Sequence, residues 1–324
     1  MFDVAIVGGG PAGSAAAIAA AETGARVLVL GGPRTARASP GETVHPGIET
    51  LLDRLGVLEE FKRCAFPRYR GIRLRTSTTE TFQELGPGWL GYQLRRDRFD
   101  ALLLRRARSL GCTVAPGVAA LDPLHDEGCV GGVVTTGGAF KAACVIDAGG
   151  RRHWLARRLG LAREKHSGPL CAHYGYARGE ASEPTDAPLL RVGGDGWTWI
   201  TSVERRMWAW VRVAPGRKTP ACLPRELASL ESLGPPHAAD VTWRVVRPAA
   251  GPGFLLCGDA AAHLDPSSGQ GILWALASGI RAGDAAASND NVSLAAYDDW
   301  VARSFEQRSE GLRRAYAVMG LPAP

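Results

Sequence analysis

The chain has 324 residues, 45% of them hydrophobic and 22% charged, a composition that fits a globular protein able to bury its own core and excludes disordered and fibrous classes. Its formal charge of +6 rests almost wholly on arginine, because Lys62, Lys141, Lys165 and Lys218 are the only lysines, and arginine suits phosphate and carboxylate partners. No apolar run reaches membrane-span length, no basic leader precedes the first apolar stretch, and seven cysteines lie scattered without a C-x-x-C pair, so a cytoplasmic protein with reduced thiols, no membrane span and no metal site is expected.

Residues 3–7 form an apolar strand, followed at once by Gly8, Gly10 and Gly13 in G-x-G-x-x-G spacing, a small-residue helix over 14–23, a stop at Gly24 and a strand over 25–30. Strand before and helix after make this a dinucleotide site: Gly8 turns the chain, Gly10 and Ala12 meet a pyrophosphate at the helix start, and Gly13 lets the helix close on its strand. One departure stands out. Where an acidic residue should hold the adenosine ribose the chain has Gly31-Gly32-Pro33-Arg34, and no acidic residue lies between Glu22 and Glu42. The adenosine end is then left to backbone and to Arg34 or Arg37, with weak retention of the dinucleotide as the consequence.

Further helices are predicted over 48–55, closed by Gly56, around 58–62, and over 96–110, closed by Gly111, then a strand over 112–115 and a hairpin with a return strand within 129–147. Asp147 ends that return strand, beside a ligand or as a turn cap. The arginine clusters at 94–108 and 151–158 belong to helices with an apolar opposite side, so they are solvated faces and no nucleic-acid partner is expected. From 168 to 248 the pattern alternates, with strands at 170–177, 189–192, 197–202, 207–213 and 241–246 in an antiparallel sheet. A turn at 203–206 would set Trp199 opposite Trp210 and put Trp197 and Trp208 on the same face, as a substrate wall or as a core face under helices. Last come a buried strand at 253–257, a tight exit at Gly258-Asp259 and a helix over 269–287. This presents a carboxylate to ribityl or ribose hydroxyls and a row of N–H groups to a flavin edge or phosphate, which points to FAD.

Taken together, Gly8-x-Gly10-x-x-Gly13, Gly41-Glu42-x-x-x-Pro46, Arg96-x-x-Phe99-Asp100, Val145-Ile-Asp-Ala-Gly149 and Gly258-Asp259 resemble, in that order, the FAD-dependent monooxygenases, flavin-dependent halogenases and geranylgeranyl reductases. The resemblance implies an α/β fold: a Rossmann-like FAD-binding domain of the glutathione-reductase type with an interleaved antiparallel-sheet substrate domain. The cofactor domain would be assembled from 1–75, 92–158 and 250–285, the substrate domain from 76–91 and 159–249, with a C-terminal helical segment over 286–324. It also implies FAD contacts from Glu42, Arg96, Asp259, Pro266, Gly269, Gly271 and Ile272, the last two at the isoalloxazine edge. His45, on a loop that approaches the flavin in the family, becomes the candidate acid or base, and His263 a packing residue.

Relatives of this kind oxygenate, halogenate or reduce alkenes. Halogenases share Gly196-Trp197-x-Trp199 and Asp265-Pro266, but their essential lysine would fall at Tyr69-Arg70-Gly71-Ile72, where there is none. Reductases share Trp199-Ile200 and Gly269-x-Gly271-Ile272. The expected function is hydroxylation of an aromatic substrate, free or as a tryptophan side chain in a peptide or partner protein, through a flavin hydroperoxide. A halogenase lacking the usual lysine, an alkene reductase and a non-enzymatic flavin-binding protein are the alternatives. Without a second nucleotide fold, electrons would come from NAD(P)H docking transiently or from a separate flavin reductase.

Overall fold

The structure, a computed structural model, describes residues 1–31, 43–194, 196–216, 223–321 and 324. Its helices are α1 (Pro11–Glu22), α2 (Ile48–Arg54), α3 (Leu58–Arg63), α4 (Arg96–Ser109), α5 (Trp154–Arg158), α6 (Gly271–Ser288) and α7 (Asn291–Val318). Phe2–Val7 is the central strand of the first sheet, flanked in parallel by Val27–Leu30 and Gly138–Asp147. Thr113–Ala115 and Phe254–Leu256 extend it, again in parallel. Val4, Ala5 and Ile6 are fully buried, as a strand covered on both faces must be, which is why the segment is continuously apolar. α1 and α6 cover one face in near backbone contact. A Cβ added at Gly279 of α6 would stand 2.3 Å from the Ala12 carbonyl oxygen, so only small residues allow this approach. α1 starts at Pro11, earlier than predicted, because the fixed φ of proline suits the first helical position.

The second sheet runs Glu231–Ser232, Leu170–Arg178, Met207–Pro215, Gly196–Glu204, Leu189–Gly193, Gly71–Arg75, Glu80–Glu84. Gly71–Arg75, which the sequence assigned to the end of the first cofactor segment, thus pairs with Leu189–Gly193. Of the strand predicted over 241–246 only 244–246 is strand, and a second, unpredicted strand precedes it. His237–Asp240 pairs with Leu170–Arg178, and Arg244–Arg247 joins a separate three-stranded sheet with Ala162–Lys165 and Ala262–His263. Asp240 makes the break, its carboxylate accepting the Thr242 N–H at 2.9 Å in an Asx turn.

The tryptophan hairpin has a different register from the predicted one. Trp199 lies opposite Val211 and Trp210 opposite Ile200. The strands meet at Glu204 and Met207, across a turn in which Arg206 takes a φ of +60°, and a bulge lies between Ser202 and Glu204. A shift of one residue sends a side chain to the other face of a sheet. The four tryptophans therefore divide: Trp197 and Trp199 face the first sheet and its core, while Trp208 and Trp210 pack on the reverse face with Leu189, Ile200 and Leu227. Among the described residues no helix is long and apolar enough to cross a membrane.

Candidate functional site

A cavity of 1380 Å³ opens between the carboxyl ends of the first-sheet strands and one face of the second sheet, the place where open α/β sheets take ligands. Gly8, Gly10 and Ala12 line it. A Cβ at Gly10 would have nothing within 4 Å, whereas one at Gly13 would fall 1.8 Å from the Gly8 carbonyl oxygen. Gly10 thus leaves space for a ligand and Gly13 acts by packing, outside the cavity wall. Gly10 caps α1 without a side-chain hydrogen bond, so no cap side chain occupies the first N–H groups.

Asp259, in the turn Gly258–Ala260, points its carboxylate into the cavity with Arg151 Nε at 3.7 Å. Arg96 lines the cavity at the start of α4, its guanidinium fixed by Asp100 through Nε at 3.1 Å and Nη2 at 3.2 Å. Pro266, Gly269, Gly271 and Ile272 line the wall where α6 begins. Glu42, Arg34 and Arg37 lie outside the described residues. Asp147 is a turn cap: fully buried, it accepts the Gly149 N–H at 2.8 Å and the Leu155 N–H at 2.9 Å, and burial pushes its carboxyl up to about 6.

His45 lines the cavity, with its ring edge-on to Trp89 at 4.9 Å. Its Nδ1 accepts the Gly47 N–H at 3.0 Å, and burial lowers its pKa. The imidazole is therefore held neutral with its proton on Nε2. Trp199, half-buried, lines the cavity and donates to Thr43 Oγ1 at 3.0 Å, beside Leu190 and Tyr174. Trp197 also lines it, but its Nε1 is taken by Tyr316 Oη at 3.0 Å. The Trp208 indole instead donates to the Gly179 carbonyl at 3.2 Å. Trp210 borders the cavity through its strand, and its ring belongs to the reverse-face cluster. His263 is buried against His153 at 5.4 Å, with its pKa lowered to about 4 by burial.

Two features had no sequence signal. Tyr316, on α7, accepts from Trp197 and donates to Asp265 Oδ2 at 3.0 Å. That carboxylate also accepts from Trp243 Nε1 at 2.7 Å and the Ser267 N–H at 3.0 Å. The C-terminal helix thereby ties the second sheet to the Asp265-Pro266 loop. Arg308, also on α7, lines the cavity with its guanidinium 4.5 Å from the Trp274 ring centroid, and its Nε and Nη1 are buried without a hydrogen-bond partner. A pattern search could not find either residue, because long-range contacts alone give them meaning.

An uncapped helix start beside an open glycine, a carboxylate further along, a second helix start and an orphaned cation fit a long ligand with an anionic middle and an electron-rich end. The fold and this donor set define a dinucleotide-binding flavoprotein, and the residues present fit FAD. Residues 1–212 match the FAD binding domain family, to which the chain belongs. It is 26% identical to the 1H-pyrrole-2-carbonyl-(peptidyl-carrier protein) brominase of Pseudoalteromonas luteoviolacea, over 92% of this chain and 82% of that protein. With digeranylgeranylglycerophospholipid reductase 1 of Methanopyrus kandleri the identity is 31%, over 88% and 80%. The 6-methylpretetramide 4-monooxygenase of Streptomyces rimosus is 29% identical, over 86% and 74%. The solved structure of the flavin-dependent brominase Bmp2 superposes with a TM-score of 0.83 at 24% identity, covering 98% of this chain and 87% of that one. The protein is an FAD-dependent oxidoreductase whose relatives include halogenases, monooxygenases and reductases.

Proposed function

We propose that the protein is a monooxygenase that hydroxylates an aromatic substrate, free or presented on a peptide or carrier protein. The observation that carries this reading is the wall facing the cofactor side. It is aromatic, with Trp199, Tyr174 and Tyr69, and it holds no lysine where halogenases need one. Tyr69 itself lines the cavity there, Arg70 lies over the Phe82 ring at 5.2 Å, and among the described residues Lys165, exposed on its strand, is the only lysine on the cavity wall.

When bound and reduced, FAD would activate dioxygen, one atom of which goes to the substrate and the other to water. The chain binds and orients. Gly8, Gly10 and Ala12 receive the pyrophosphate, Asp259 the ribityl hydroxyls and Gly271 with Ile272 the isoalloxazine edge, and Arg96 flanks the cofactor. Trp199 and Tyr174 offer flat faces on which an aromatic ring stacks while water is excluded. With Nδ1 committed to Gly47, His45 serves as a hydrogen-bond donor through Nε2–H and not as a base. We take the substrate unit to begin at Gly71, because a boundary at 75 would cut Gly71–Arg75 from its partner strand. NAD(P)H or a separate flavin reductase supplies the electrons. A cytoplasmic location belongs to the same reading, supported by cysteines scattered without a C-x-x-C pair.

Halogenation is the second reading, favoured by the brominase relative. Reoxidation of the reduced, FAD-loaded protein by dioxygen tests the oxygenase reading. Acceleration on adding phenol, indole or a tryptophan peptide supports it, and a rate unchanged by all three argues against it.

A further inference from the structure

Arg308 stands out because its Nε and Nη1 are buried without a hydrogen bond, and the one carboxylate that acts on its charge, Asp259, does so through the field alone. A guanidinium has five donors and stays protonated. Burial lowers the Arg308 pKa to about 10, and no hydrogen bond reaches its Nε or Nη1. Burying an unpaired cation is costly, and such groups are normally paired or hydrogen-bonded. The Trp274 face, at 4.5 Å, is a weak recompense. What the side chain does face is the cofactor cavity.

Its position along the cavity narrows the ligand. The pyrophosphate site is at the start of α1. Arg308 instead lies over Trp274, three residues into the helix that begins at Gly271, and Trp274 is held by its Nε1 donating to the Gly258 carbonyl at 3.0 Å. The guanidinium is therefore set between the Gly258-Asp259 turn and the first turn of α6. On the reading that Gly271 and Ile272 meet the isoalloxazine, on which this inference rests, the edge facing the N–H groups of a helix start would be the one that carries acceptors, the N1–C2 carbonyl side. Oxidised flavin is neutral there. Two electrons and one proton from a reductant leave the ring with a negative charge spread over N1 and the C2 carbonyl, and charge near N1 tunes the flavin's electronics.

We propose that Arg308 is a flavin ligand contributed by the C-terminal helix, which pairs with the N1–C2 carbonyl edge and holds the anionic reduced cofactor more tightly than the oxidised one. The family match ends at residue 212, so this contact comes from outside the matched region. It also gives α7 a role in the redox cycle: without the cofactor two guanidinium nitrogens have no hydrogen bond, and reduced FAD would supply the anionic acceptor.

The test compares the wild type with Arg308→Met and Arg308→Lys, each stripped of FAD and reconstituted. Three quantities are read: the melting temperature of the FAD-free protein, the Kd for oxidised FAD, and the midpoint potential from anaerobic dithionite titration. Hydrogen bonds to a charged group correspond to about tenfold to a hundredfold in affinity. Arg308→Met should weaken the reduced cofactor by that factor relative to the oxidised one, which lowers the two-electron potential by about 30 to 60 mV. Lysine should restore much of the potential. The FAD-free Arg308→Met protein should melt no lower than the wild type, because an unpaired buried charge has been replaced by an apolar chain. Equal weakening of oxidised and reduced FAD would place Arg308 on the pyrophosphate and overturn the proposal. So would an unchanged potential, or a FAD-free Met variant that is less stable or fails to fold. A wild type that binds no FAD would overturn the cofactor assignment beneath it instead.

Discussion

Replacing Tyr316 with Phe removes one oxygen atom and should cost far more than its volume suggests. That hydroxyl accepts from Trp197 Nε1 at 3.0 Å and donates to Asp265 Oδ2 at 3.0 Å, and Trp197 and Asp265 are 2% and 1% exposed. The Trp197 N–H would be left buried without an acceptor, at about 1–3 kcal/mol, and the carboxylate would lose one of its donors, at about 1.5–3 kcal/mol. Asp265 keeps Trp243 and Ser267, so the two losses overlap and about 3 kcal/mol is expected, a drop in melting temperature of about 4–5 °C for a chain of this length. Chemical denaturation of the wild type, Tyr316→Phe, Trp197→Phe and the double variant measures it. With Trp197 already gone there is no donor to orphan, so Tyr316→Phe should then cost about 1 kcal/mol less. A loss below about 0.5 kcal/mol, or strict additivity of the two substitutions, would refute the network as a tie between the substrate sheet and the cofactor loop.

The two glycine positions at the start of α1 should separate. Gly10→Ala folds normally and weakens FAD binding, because its Cβ has only ligand space ahead of it, whereas Gly13→Ala drives a Cβ into the Gly8 carbonyl and loses soluble protein; the same phenotype for both would contradict this. Trp199→Phe should leave the melting temperature nearly unchanged and alter the KM for an aromatic substrate, while Trp210→Phe, in the reverse-face core, should destabilise by about 1–3 kcal/mol without a KM effect. Asp147 has its pKa raised from 3.8 to about 6 by burial. Its contribution to stability is therefore fully present below the unfolded value and is lost as pH rises through the folded one, by up to about 3 kcal/mol. Relative to Asp147→Asn, the wild type should gain stability as pH falls from neutral to about 4; a difference that does not vary with pH would sink that reasoning.

The cofactor half of the fold was legible because its signals are local. The glycine spacing, the apolar first strand and the small-residue faces of α1 and α6 each state their own packing, and the Gly258-Asp259 exit followed the same logic. The strand Ala120–Asp126 was not legible: its Asp122, Pro123 and Asp126 mask any alternation, and it forms by pairing with Cys129–Thr135. The tryptophan hairpin failed for a subtler reason. Alternation gave the strands, but a turn one residue later than assumed, with a bulge beside it, set the register and divided the four rings between two faces. In the site, His45, Arg96 and Asp259 lay in motif context, and all three line the cavity. Arg308 and Tyr316 lie on a long helix where an arginine and a tyrosine look like any others, and only packing brings them to the cavity and to Asp265.

The measurement that bears most directly on the whole account is the identity of the product. The FAD-loaded protein, a flavin reductase, NADH and oxygen-18 gas would be incubated with bromide and with phenol and indole as aromatic probes, and the products weighed by mass spectrometry. An aromatic cavity without the halogenase lysine predicts a product heavier by one labelled oxygen atom, lost in Trp199→Ala. A product bearing the bromine isotope doublet would contradict it.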